Sequence, residues 1–97
     1  MENKDDSHSV IKVKVAKLIE KLIKKKHLTQ SEVAKILQVD QPKVSALMSG
    51  NLRSFSLERL LRFINLLGFD IEIWVQHSKS KLGKNMLHLI EDSSNHV

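Results

Sequence analysis

Ninety-seven residues, 41% of them apolar and 28% charged, give a chain with material for one modest hydrophobic core and too much apolar content for wholesale disorder. The absence of cysteine excludes a disulfide framework and a thiolate metal site, and no apolar run approaches the roughly 20 residues that a membrane helix requires. Of the net charge of +5, the part between Ser9 and Arg62 carries 12 Lys and Arg against four Asp and Glu, a local +8 flanked by mildly acidic ends, which points to a polyanionic partner.

Residues 1–8 are expected to be a flexible segment. The start MENKDDSHSV is polar and acidic, without the basic-then-apolar order of a signal peptide, so a cytoplasmic protein is expected. From Ser9 to Lys26, Ile11, Val15, Leu18, Ile19 and Leu22 recur at steps of three and four, which predicts an amphipathic helix. Its lysines Lys12, Lys14, Lys17, Lys21 and Lys24 spread around the remaining faces and are expected to be solvated. Three further helix starts follow at short intervals. Thr29-Gln30-Ser31-Glu32 is a capping box, with Leu28 and Val33 spaced as a hydrophobic staple. Asp40 repeats the pattern with Val39 and Val44, and Pro42 falls in the first turn, where a missing N–H costs nothing. Ser56 repeats it again with Phe55 and Leu60, opening a helix expected to bury Leu57, Leu60, Leu61, Ile64 and Leu67 and to stop at Gly68.

The period then changes. FDIEIWVQ alternates strictly, with Phe69, Ile71, Ile73 and Val75 on one side and Asp70, Glu72, Trp74 and Gln76 on the other, which predicts a half-buried β-strand. A lone strand leaves both edges unpaired; antiparallel pairing with the same strand of a second copy is the economical remedy, with pairing to the C-terminal tail or a merely extended edge as the alternatives. Residues 77–97 read as a tail, with enough apolar character in MLHLIED for a turn or two of helix; it is open as a disordered end or as a partner-docking segment through Met86, Leu87, Leu89 and Ile90, with the acidic N-terminal segment an equal candidate for docking. The expected division is therefore 1–8 flexible, 9–76 a domain with its terminal strand, and 77–97 tail.

Two short helices three residues apart, opened by Thr29 and Asp40, meet the requirements of a helix-turn-helix. A small residue, Ala34, sits where the helices cross; Val39 plugs the turn; Val44 and Leu47 hold the second helix by one edge. Gln41, Pro42, Lys43, Ser45, Ala46 and Ser49 then remain outward, which suits a major groove. An amide can be bidentate to adenine, a lysine can reach guanine or phosphate, and an alanine can touch a thymine methyl.

Gln30, Ala34, Val39, Gln41, Val44-Ser45, Leu47 and Gly50 resemble the helix-turn-helix family of phage repressor and Cro proteins. The resemblance implies a mainly α fold, a lambda-repressor-like bundle of four to five short helices followed here by the C-terminal strand. Gln38 departs from it, standing where that family usually has glycine; a left-handed backbone at a non-glycine residue costs on the order of 1 kcal/mol. A narrower resemblance, through QPKVS, FSLERL and LGFDIEIWV between Leu28 and Val75, is to the antitoxin branch of the XRE/Cro-like group, similar to HigA. It implies a dimer that represses its own operon at a palindromic operator and pairs with a small RelE- or HigB-like ribonuclease toxin. By the same resemblance, base contacts fall on Gln41, Lys43, Ser45 and Ala46, and phosphate contacts on Gln30, Lys35, Asn51 and Arg53. Dimerisation falls on Phe69, Ile71, Ile73, Trp74 and Val75.

The five histidines are scattered, no pair has metal-ligand spacing on a helix, and no phosphate loop can be built from three glycines. Neither an enzyme nor a cofactor or metal protein is expected. A phage-type repressor without a toxin, and an interaction module that uses the helix-turn-helix face for protein, stay open as alternatives.

Overall fold

The computed structural model describes residues 9–79, which form four helices: α1 (Val10–Lys25), α2 (Gln30–Leu37), α3 (Gln41–Met48) and α4 (Leu57–Leu66). α1 packs on α4 and α2 on α3, with smaller contacts joining the two pairs. Their shared core holds Val15, Ala16, Ile19, Leu22 and Ile23 of α1, Val33, Ala34 and Leu37 of α2, and Val44 and Leu47 of α3. Leu52, Phe55, Leu60, Phe63, Ile64 and Leu67 complete it. Phe55 and Phe63 meet edge to face, ring centroids 5.7 Å apart at 75°.

Every helix is punctuated in the same way at both ends. At the N-termini an oxygen of Ser9, Thr29, Asp40 or Ser56 accepts from the backbone N–H three residues on, satisfying one of the donors that a helix start leaves orphaned. The Thr29 box is reciprocal: Glu32 N–H donates to Thr29 Oγ1 at 3.1 Å, and Thr29 N–H donates to Glu32 Oε1 at 2.8 Å. At the C-termini a left-handed residue turns the chain, at His27, Gln38, Gly50 and Gly68 with φ of 56, 63, 85 and 98°. In each case two backbone N–H groups fold back onto the last turn, for example Gln38 N–H onto Lys35 O at 3.3 Å and Val39 N–H onto Ala34 O at 3.0 Å. This is the Schellman arrangement, and Leu28, Val39 and Phe69 follow it with an apolar side chain packed against the core.

Three sequence expectations need correction. First, no β-strand exists among the described residues. From Phe69 to residue 79 the chain runs extended without a ladder, so the predicted terminal strand is not formed in the described chain. Alternation marks which side chains share a side, but a strand needs a partner to accept and donate its backbone bonds, and the described chain supplies none. Phe69 and Ile71 are half-buried against the core, the Asn65 Nδ2 group donates to Phe69 O at 2.9 Å, and beyond them Ile73, Trp74 and Val75 are exposed. Second, Lys12 is not solvated but 1% exposed. Third, Leu57 and Leu61 are only half-buried, and Phe63, which the spacing argument passed over, takes the deep position on α4. The expected tail helix and partner-binding leucines fall outside the described residues.

Candidate nucleic-acid interface

α3 is held from below and open above. Val44 and Leu47, one turn apart, are buried to 0% and 4% exposure, while Gln41, Pro42, Ser45 and Ser49 are exposed. Proline in the first turn and the Asp40 cap fix where this helix begins: Lys43 N–H donates to Asp40 Oδ1 at 3.0 Å. Lys43 and Ala46, expected fully outward, are half-buried at the flanks. Ala46 packs against the core, and the Lys43 ammonium lies 5.7 Å from the centre of the Phe55 ring, a cation–π contact that draws the side chain back along the protein surface.

Two predicted site residues meet directly. Ser45 Oγ donates to Gln30 Oε1 at 3.2 Å, joining the first residue of α2 to the middle of α3. With its oxygen so engaged, the Gln30 amide keeps two N–H donors for another acceptor, as a phosphate would be. Ser49 is exposed, but its hydroxyl donates to Ala46 O at 3.1 Å within its own helix. Lys35 is exposed on the last turn of α2, and Asn51 and Arg53 are exposed in the loop after α3. The described geometry therefore groups Gln30, Gln41 and Ser45 closely, with Asn51 and Arg53 beyond one end of α3.

Arg59 is a neighbour that the sequence reading missed. Its guanidinium lies 5.7 Å from both the Phe55 and the Phe63 ring, so Phe55 carries two cations, Lys43 and Arg59. The Arg59-Phe63 spacing of four within α4 was the available signal, because residues four apart share a helix face; Phe55 lies just before the helix. The nearby carboxylates are fewer: Glu32 and Asp40, which accept from backbone N–H groups at helix starts, and Glu58 in the first turn of α4, against Lys35, Lys43, Arg53 and Arg59. Cations thus outweigh anions where a nucleic acid backbone would pass.

Among the described residues no three His, Cys, Asp or Glu side chains come together as metal ligands, and no helix is long and apolar enough to cross a membrane.

With this geometry in view, the comparisons point one way. A family described as a helix-turn-helix domain matches residues 1–76. A solved structure of a candidate XRE-family transcriptional regulator is 31% identical, with 84% of this chain and 91% of that one aligned at a TM-score of 0.72. No curated protein matches the chain.

Proposed function

The chain belongs to the XRE-like helix-turn-helix family of DNA-binding transcriptional regulators, and we propose that within it this protein is an autorepressing antitoxin. It binds an operator of two-fold symmetry as a dimer, lowers transcription by occupying it, and neutralises a small RelE- or HigB-like toxin. The observation that carries the DNA-reading part is the exposed row Gln41, Pro42 and Ser45 on a helix fixed from beneath by Val44 and Leu47. In the groove, the Gln41 amide suits adenine, Ser45 suits either partner of a base pair, Ala46 touches a thymine methyl, and Lys43 extends from Phe55 to guanine or phosphate. Gln30, Lys35, Asn51 and Arg53 take backbone phosphates and set the register.

The antitoxin part is supported by the FSLERL and LGFDIEIWV pieces, which resemble that branch of the group. A dimer matches a palindrome because its two-fold axis coincides with that of the site, setting two recognition helices about 34 Å apart. The exposed Ile73, Trp74 and Val75, with Phe69 and Ile71 behind them, offer apolar side chains for contact between copies without any ladder pairing.

Selection of bound duplexes from a random DNA pool at about 0.15 M salt, a concentration at which phosphate contacts alone bind weakly, tests this reading. An enriched two-fold-symmetric site with half-sites about one helical turn apart supports the dimeric repressor. No enrichment by folded protein overturns it in favour of a protein-interaction module. Co-expression with the product of a neighbouring short, basic reading frame tests the antitoxin part: a growth-arresting product that this chain fails to bind and silence counts against it.

A further inference from the structure

Lys12 lies in the first turn of α1, away from the recognition helix, yet it is as deeply buried as Phe55 and Val15. Lysine is almost never fully buried unless its ammonium finds partners, because desolvating the charge is costly. Here Nζ donates to the backbone carbonyl of Leu52 at 3.3 Å, a bond that spans 40 residues of sequence. The same carbonyl accepts from Phe55 N–H at 3.1 Å and so closes the turn from Leu52 to Phe55. Arg53 follows this carbonyl on the corner of the turn, and Asn51 precedes it.

The loop is also anchored where Asn51 N–H donates to Ala46 O at 2.9 Å and by the buried Leu52 and Phe55 side chains, whose packing is non-directional. A methionine would fill the space of the Lys12 stem without any buried charge, and replacing buried charge by a well-packed apolar group is often neutral or stabilising. What the lysine adds is direction: a charge-assisted bond that fixes where the Leu52 carbonyl points, and with it the two residues on either side.

We propose that Lys12 is a positioning residue for DNA binding, its buried ammonium locking the Leu52–Phe55 turn so that Asn51 and Arg53 meet backbone phosphates. The proposal rests on the phosphate contacts assigned to those two residues above.

The test uses the full chain and a mixed-sequence duplex about three helical turns long, which responds to phosphate contacts rather than to an operator. Affinity and its salt slope are measured for the native protein, Arg53→Ala, Lys12→Met and the double variant, each verified as folded by its helical circular dichroism. Arg53→Ala and Lys12→Met are each expected to weaken binding on the order of tenfold and to lower the salt slope by about one per lost contact. The double variant is expected to bind like Lys12→Met, since that change already releases the Arg53 contact along with that of Asn51. If Arg53→Ala weakens binding but Lys12→Met leaves affinity and slope unchanged, or adds its full effect on top of Arg53→Ala, the positioning role is overturned while the interface stands. If Arg53→Ala itself leaves the slope unchanged, the phosphate assignment falls and takes the Lys12 role with it. Should Lys12→Met fail to fold, Lys12→Gln, whose shorter amide falls short of Leu52, is held to the same criteria.

Discussion

The paired helices α2 and α3 and the extended segment that begins at Phe69 carried equally clear sequence patterns, but only the helices took the structure their pattern predicts. The helical pair meets its backbone needs within itself. Thr29 with Glu32 and Asp40 serve the orphaned donors at its starts, and the turns at Gln38 and Gly50 serve the carbonyls at its ends. The extended segment has a correct apolar alternation and nothing to pair with among the described residues, so its outer part leaves Ile73, Trp74 and Val75 in solvent. A periodic pattern predicts which side chains share a side; whether it becomes an element depends on where the backbone bonds can go.

Five substitutions would sharpen or break that comparison. The largest effect is expected from Phe55→Ala, which empties the core beneath both Lys43 and Arg59 and should cost about 3–5 kcal/mol of stability in denaturant titration. A loss below about 1 kcal/mol, the size of an ordinary surface effect, would show that α4 and the loop before it are not part of one core with α3. Next, Thr29→Ala removes one side of a reciprocal box and should lower stability by about 1 kcal/mol, with DNA binding of the still-folded protein unchanged. A drop in affinity without a drop in stability would move Thr29 from cap to contact.

Gln38→Gly should act in the opposite direction. Gln38 holds φ at 63°, which costs a side chain on the order of 1 kcal/mol relative to glycine, offset in part by the greater freedom of glycine in the unfolded chain. A melting temperature raised by a few degrees is the expected outcome; a lowered one would mean that the Gln38 side chain supports the turn in a way its backbone geometry does not reveal. His27→Gly, at φ 56°, offers the same comparison at the end of α1. The smallest effect is expected from Trp74→Ala. At 80% exposure the ring contributes little to the single chain, and its indole N–H donates to the nearby Glu72 Oε1 at 3.0 Å. Stability should change by less than about 0.5 kcal/mol at high dilution. A larger loss that grows with protein concentration in thermal melts would show that this segment finds its partner in a second copy.

Much of the domain was legible before any coordinates. The caps at Thr29, Asp40 and Ser56, the plug at Val39 and the buried edge Val44-Leu47 lie where spacing predicts, and the left-handed turn at Gln38 lies where the family resemblance places a glycine. Of the candidate site, the exposure of Gln41 and Ser45 followed from the same pattern, whereas the half-burial of Lys43 and Ala46 did not, and Asn51 and Arg53 were named by the family resemblance alone. Arg59 was missed because its significance lies in rings on both sides of it, one of which also holds a lysine from another helix.

What the sequence determined by itself are the features completed within about four residues: helix starts, helix ends, and which residues share a face. Tertiary structure alone decided the rest. It buried Lys12 against the carbonyl of Leu52, joined Ser45 to Gln30, set two cations on Phe55, and left the alternating segment without a ladder. Apart from Arg59, which is four residues from Phe55, the contacts among these outcomes join groups 12 to 40 residues apart, and a local pattern holds no record of which distant atom will be waiting at its surface.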